Sequence, residues 1–235
     1  MTQQTIHRLP LLLLLLAVGG CAGSAGPFST GPFQLGYLAK TDVDMVTDLH
    51  LRTSFDLLRR LAIKLYRRNP REWRRTGAAS LEARVDALFT NPLNWDHLGL
   101  GDRRGSDAVL LAFAADYRGD RVAAFVAGLS SMIYAAYGSR PESFMLDELD
   151  PQKLYNCARN LEIAAWKLRT ARAPDGEPWL LSNALDEAEP NLSFERLFGK
   201  LIVTQDLMAR IVAEQSNRTI KAVMQQMAQA VFLPI

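Results

Sequence analysis

The sequence has few of the residues that build metal sites and reactive nucleophiles. Its 235 residues include two cysteines, Cys21 and Cys157, and three histidines. A zinc site needs three or four ligands, often His or Cys at short spacing, and no such cluster occurs in the sequence. Residues 128–132 lack the final glycine of a nucleophile elbow, and residues 99–101 lack the pattern of a phosphate-binding loop. We therefore predict no metal, no cofactor and no catalytic residue.

The remaining candidates for catalysis have ordinary explanations. His50 lies beside an apolar helical stripe, which favours a packed or exposed side chain. His97, in a glycine-rich loop, is the better functional candidate of the two histidines. Cys157 falls on the apolar face of a helical segment, where a cysteine behaves as a small core residue. The acidic run 147–150 offers the two carboxylates that a glycosidase needs, although Asp150 also fits a helix cap.

Signals for β-strands are also missing. No apolar–polar alternation beside a hairpin turn stands out, and no fixed repeat indicates a solenoid. From Thr41 onward, apolar residues instead recur three or four apart, with capping residues between the runs. The predicted helices cover about residues 41–68, a short stretch from 70, and about 80–89, 106–117, 121–137, 151–170, 193–214 and 217–231. The pattern predicts an all-α fold over 41–235, a single helical bundle of about seven helices.

The first twenty-one residues carry a targeting pattern. A polar segment with Arg8 precedes the apolar run 9–18, which is too short to cross a bilayer because a spanning helix needs about 20 apolar residues. Two small residues and Cys21 follow. This order is typical of a secretory signal peptide, and Val18-Gly19-Gly20-Cys21 resembles the lipobox of bacterial lipoproteins. The resemblance covers residues 1–21 alone.

The lipobox resemblance implies a membrane anchor outside the cytoplasm. It implies that residues 1–20 are removed and that Cys21 is acylated, which holds the protein at a membrane surface. Ala22 then points to the outer membrane, facing the periplasm, for a Gram-negative source. Residues 21–40, rich in Gly, Ser, Ala and Pro, are predicted to form a flexible tether. Acylation would leave Cys157 as a lone thiol and exclude an intramolecular disulfide.

A basic segment is the densest local feature of the chain. Eight basic residues fall within positions 59–75 and are opposed by Glu72 alone: Arg59, Arg60, Lys64, Arg67, Arg68, Arg71, Arg74 and Arg75. Tyr66 and Trp73 interleave with them. Arginine forks bind phosphate, so the segment is a candidate site for anionic lipid or lipopolysaccharide phosphate. The alternative is a solvated helix face paired with acidic surfaces such as 142–150. Nucleic acid is not expected as a partner outside the cytoplasm.

Two further segments bear on function. Residues 122–137 carry no charge and place Ala127, Ser131 and Ala135 four apart, a spacing that lets helices approach closely. We interpret this run as a core helix, with a membrane-inserting helix as the alternative. The loop 171–190 contains Trp179, which we predict to be an exposed anchor for a partner.

The sequence therefore predicts a non-enzymatic lipoprotein that acts as a binding or scaffold component of the cell envelope. The candidate surfaces are the basic segment 59–75 and the loop 171–190. Two alternatives stay open, which are an envelope enzyme of the cell-wall hydrolase type that uses carboxylates, and a lipid-binding protein that inserts 122–137.

Overall fold

The described part of the chain is built from α-helices joined by loops. The computed structural model describes residues 42–90, 95–140, 149–183, 192–216, 220 and 231–235. These residues form seven α-helices and no strand, so the predicted all-α fold is confirmed. The helices are α1 (Asp42–Arg68), α2 (Pro70–Arg74), α3 (Leu81–Phe89), α4 (Gly105–Leu111), α5 (Arg121–Ala136), α6 (Pro151–Thr170) and α7 (Ser193–Ser216). The predicted signal peptide 1–20, Cys21 and the predicted tether lie outside the described residues.

Local capping signals fix several helix ends. The Ser80 hydroxyl accepts a hydrogen bond from the Ala83 backbone N–H at 3.0 Å and begins α3. The Asp150 carboxylate accepts from the N–H of Gln152 at 2.9 Å and begins α6. An N-cap side chain of this kind satisfies one of the four free N–H groups of a helix. Both starts agree with the sequence prediction because the signal lies within three residues of the helix.

The helix predicted over 106–117 is shorter than expected. The α4 helix begins at Gly105 and ends at Leu111, so Ser106 lies inside the helix and does not cap it. Its start is set by a neighbouring helix, since the N–H of Gly105 donates to the Ser131 hydroxyl at 2.7 Å. After Leu111 the backbone turns more tightly, since the N–H groups of Phe113 and Ala114 donate to the carbonyls of Leu110 and Leu111, and the Arg121 guanidinium donates to three carbonyls beyond the helix. Those carbonyls belong to Ala112, Ala114 and Tyr117, at 2.7, 2.9 and 2.8 Å.

The uncharged segment 122–137 forms the central helix of the bundle. Nearly all of α5 is buried, and it contacts α1, α2, α4 and α6. The small residue Gly128 allows α4 to lie close, because a Cβ there would stand 2.7 Å from the backbone N of Val109. Among the described helices, none combines the length and hydropathy that a bilayer crossing requires. The interpretation of 122–137 as a core helix is confirmed.

Two long helices, α1 and α7, lie antiparallel against this centre. His50 near the start of α1 donates from Nδ1 to the Thr204 carbonyl at 3.3 Å, while Lys64 near its end donates to the Ser193 hydroxyl. The predicted helix 217–231 falls mostly outside the described residues. Val231 is not helical, and it begins a short non-helical segment, 231–235, that packs on the bundle.

Candidate functional site

The basic segment divides into two groups by its contacts. In one group the charged heads make intramolecular contacts that join elements of the bundle. Arg59 pairs with Asp86 of α3, and the Lys64 ammonium lies 5.3 Å from the centroid of the Phe194 ring. Burial lowers the pKa of Lys64, and Arg196 and Arg67 add to the effect. These basic residues pair with, or pack against, other elements of the bundle. The alternative given above, a helix face paired with acidic surfaces, is therefore correct in part.

Arg75 belongs to the same group. Its guanidinium donates to the carbonyls of Arg118 and Gly119 at 3.0 and 2.9 Å and lies 3.4 Å from the Glu72 carboxylate. These contacts tie the end of α2 to the residues just before α5. The acidic partners found here are Asp86 and Glu72, whereas residues 142–148 lie outside the described part of the chain.

The second group is exposed to solvent. Arg60 and Arg67 are exposed on α1 and lie seven residues apart, which puts them on one face of the helix. Arg71 and Arg74 are exposed on α2, and the Arg71 side chain is 79% accessible. We call these four the exposed arginines and take them as candidates to contact a partner; Arg75 is exposed as well, but its guanidinium is engaged by Arg118, Gly119 and Glu72.

A cleft lies beside the exposed arginines, between the start of α2 and the loop 177–181. Its volume is about 350 Å³. The lining residues are Arg68, Asn69, Pro70, Arg71, Glu72, Glu177, Pro178, Trp179 and Leu181. The cleft therefore joins the two regions that the sequence predicted as separate partner surfaces.

One asparagine holds the two walls of this cleft together. Asn69 Nδ2 donates to the Leu181 carbonyl at 2.9 Å, and its Oδ1 accepts from the Leu181 N–H at 2.8 Å. The Asn69 side chain thus satisfies both backbone groups of one residue 112 positions away, and makes no cap bond to α2. The loop position is fixed by paired hydrogen bonds as well as by packing.

Trp179 is a wall of the cleft, and the prediction of an exposed anchor there is wrong. The residue is half-buried, and the Arg121 guanidinium lies 4.0 Å from the centroid of its ring. A guanidinium over an indole face is attracted by the ring's quadrupole, which holds the indole down against α5. Within 171–183, the described part of this loop, the exposed large hydrophobic residue is Leu181, which is 45% accessible.

Two buried carboxylates lie under the cleft at the N-terminus of α5. Glu72 is 2% accessible and accepts from the Arg121 N–H at 2.9 Å. Asp120 accepts from the Ala123 N–H at 2.9 Å and from the Tyr66 hydroxyl at 2.7 Å. Negative charge is favourable at a helix N-terminus, where free N–H groups and the helix dipole point.

Asp120 is also neutralised by a cation that the sequence did not single out. Arg84 Nε donates to the Asp120 carboxylate at 2.9 Å. Burial, reinforced by Asp120, raises the pKa of the Tyr66 phenol well above its usual value, so that the hydroxyl stays protonated and donates. Sequence reasoning missed the roles of Glu72 and Arg84, and the one available signal was that Glu72 alone opposes eight basic neighbours.

The candidates for catalysis that the structure describes are engaged in hydrogen bonds, in packing or in a helix cap. His97 Nε2 donates to the Ala87 carbonyl at 3.0 Å, and His50 contacts α7. Cys157 is fully buried, and burial raises the pKa of its thiol. Within the described ranges no group of three His, Cys, Asp or Glu residues is placed to hold a metal ion. Asp147 and Glu148 lie outside those ranges, and Asp150 caps α6.

Comparison of the chain with protein-family models, curated proteins and solved structures finds no match.

Proposed function

We propose that this protein is a lipid-anchored, non-enzymatic component of a bacterial cell envelope, and that it binds another envelope component through the cleft and the exposed arginines. The proposed anchor is acylated Cys21 on the periplasmic side of the outer membrane. It rests on the lipobox resemblance of residues 18–21. The proposed binding surface rests on the described residues.

One observation carries the binding proposal. Arg71, one of the exposed arginines, lines a concave surface that also offers an indole wall and an exposed leucine, Leu181. Arginine and aromatic residues are enriched where proteins bind partners. The charge is mixed at the cleft itself, since Glu72 and Glu177 line it together with Arg68 and Arg71. A cleft of mixed charge favours a folded protein partner over a uniformly anionic lipid surface.

The two alternatives have less support in the described residues. A hydrolase needs two carboxylates beside a substrate, and Glu72 and Asp120 are both engaged in capping α5. Insertion of 122–137 into a bilayer would expose a helix that four others cover, and so would require the bundle to open.

The anchor is tested by labelling growing cells with a clickable palmitate analogue. The wild-type chain should take up the label and partition with membranes, whereas the Cys21→Ser variant should do neither. Equal labelling of the two chains would contradict acylation at Cys21.

The binding surface is tested by photo-crosslinking in the envelope. The full-length chain would carry Leu181→p-benzoylphenylalanine at the rim of the cleft or, as a matched control, Val203→p-benzoylphenylalanine on α7, since these residues are 45% and 54% accessible. A discrete protein adduct from position 181 alone supports the proposal. The adduct should weaken with Arg67→Glu, Arg71→Glu and Arg74→Glu combined, and survive Lys200→Glu with Arg210→Glu. Adducts to lipid alone would contradict a protein partner.

A further inference from the structure

The α6 helix carries a row of amide side chains away from the cleft. Gln152, Asn156 and Asn160 are spaced four residues apart and so lie along one face of the helix. Gln152 Nε2 donates to Asn156 Oδ1 at 2.9 Å, which orients the next amide in the row. Asn156 and Asn160 are 7% and 1% accessible. Buried amides need hydrogen-bond partners, and those partners lie on the segment 231–235.

The amide row holds this segment by its backbone. Asn160 accepts from the Leu233 N–H at 2.7 Å and donates to the Leu233 carbonyl at 2.8 Å. Asn156 donates to the Pro234 carbonyl at 2.9 Å. Phe232 and Ile235 pack against the core on either side. The hydrogen bonds from Asn156 and Asn160 are therefore made to main-chain groups of the segment, and the two apolar side chains supply the packing.

The sequence of the segment restricts its conformation in a way that favours this contact. A residue that precedes proline is restricted to extended conformations, so Leu233 has little conformational freedom to lose on docking. Pro234 has no N–H group to satisfy and offers its carbonyl alone. Extended, proline-containing peptides are a recurrent class of ligand because they are ordered before they bind.

We infer that the amide row of α6 is a binding site for an extended, proline-containing peptide, and that residues 231–235 of a second copy of this chain fill it as well as the chain's own segment does. The contacts use main-chain groups and two apolar side chains, so none of them depends on the segment belonging to the same molecule. Ile220 packs against the core of its own bundle, and ten residues, 221–230, connect it to the segment. At full extension ten residues span about 33 Å, which lets the segment reach a bundle that lies against its own.

The test uses two full-length variants that are each unable to dock their own segment. Asn160→Ala removes both bonds to Leu233 and leaves the segment intact. Leu233→Pro removes the N–H group whose hydrogen bond Asn160 accepts, and it leaves the amide row intact. A mixture contains one intact pairing, between the segment of the first variant and the amide row of the second. Short backbone-bonded peptides bind with a Kd of about 10 µM to 1 mM, so association should appear in that range by sedimentation velocity.

Controls separate docking from damage to the fold. Asn69→Ala breaks an equivalent pair of bonds, to Leu181. When it is mixed with Leu233→Pro in place of Asn160→Ala, no complex should form. If Asn160→Ala fails to fold, Asn160→Ser, whose side chain is too short to form both bonds to Leu233, takes its place. Association in the mixture but in neither variant alone supports the inference. Absence of a complex at millimolar concentration, with both variants folded by circular dichroism, would overturn it and leave the segment as an internal strap.

Discussion

The Arg121 guanidinium stacks on the Trp179 indole at 4.0 Å while it donates to three carbonyls at the end of α4 and just beyond it. One side chain at the start of the central helix thus braces a wall of the candidate cleft and also holds the loop that follows α4. We expect Trp179→Ala to lower the free energy of unfolding by about 2–4 kcal/mol, from lost packing and lost cation–π attraction. Trp179→Phe, which keeps an aromatic face, should cost less. Urea denaturation measures the loss in the free energy of unfolding for both variants. Equal losses would mean that the cation–π contact with Arg121 does not contribute to stability.

The bond between Tyr66 and Asp120 is predicted to couple to the Arg84 ion pair. Asp120→Asn should lower the free energy of unfolding by about 3–5 kcal/mol because it leaves a buried guanidinium without its counter-charge. Tyr66→Phe should cost about 1–2 kcal/mol, since it removes one hydrogen bond to a charged acceptor. A double-mutant cycle by chemical denaturation tests the contact, and strictly additive losses would contradict a shared network.

Gly128 on α5 and Gly199 on α7 allow the same substitution, glycine to alanine, to be compared at a crowded and at an open position. Gly128→Ala should destabilise by about 1–3 kcal/mol or more, because its Cβ would meet the backbone of Val109 and Gly105 at 2.7 and 2.8 Å. Gly199→Ala on α7 meets no atom within 4 Å and should stabilise by up to about 1 kcal/mol, since alanine is the better helix former. Thermal unfolding followed at 222 nm reports both shifts. A shift of the same sign for the two variants would contradict the close approach of α4 to α5.

The buried thiol predicts how stability depends on alkaline pH. Burial raises the pKa of Cys157 above its ordinary value of 9.0. The native thiol therefore stays protonated while the unfolded thiol ionises, so its contribution is full below pH 9 and is lost as the pH rises. The expected slope is about 1.4 kcal/mol per pH unit above pH 9. Comparing unfolding of Cys157→Ala and the parent from pH 8 to 10.5, both carrying Cys21→Ser, isolates this contribution. Parallel curves for the two proteins would exclude it.

The features that the sequence predicted well are local ones. Ser80 and Asp150 indicate where α3 and α6 begin, because each cap and the N–H group that it satisfies are neighbours in the chain. The prediction that fell short, the helix 106–117, depends on the Ser131 hydroxyl, 26 residues from Gly105, and on the Arg121 side chain, which bonds to carbonyls four to nine residues before it. No simple sequence pattern shows that a later guanidinium will donate hydrogen bonds to the carbonyls that follow a helix.

The candidate site was predicted only in outline for the same reason. The arginines and the tryptophan could be named from composition, but the split between structural and exposed arginines depends on partners such as Asp86, which no spacing rule connects to Arg59. Asn69 and Asn160 each satisfy both backbone groups of a leucine more than seventy residues away. An asparagine before a proline or within a helix gives no sign of such a role.

The shared position of Arg121 has a thermodynamic consequence. Because the residue belongs to the central helix and also supports Trp179, the cleft exists in its binding form only while the core is folded. A ligand that binds the folded cleft must then raise the melting temperature, by linkage, with a gain of about 2.7 kcal/mol at a hundredfold excess over its Kd. Heat resistance thus becomes a direct assay for occupancy, and a collection of envelope fractions can be screened for the partner before its chemistry is known.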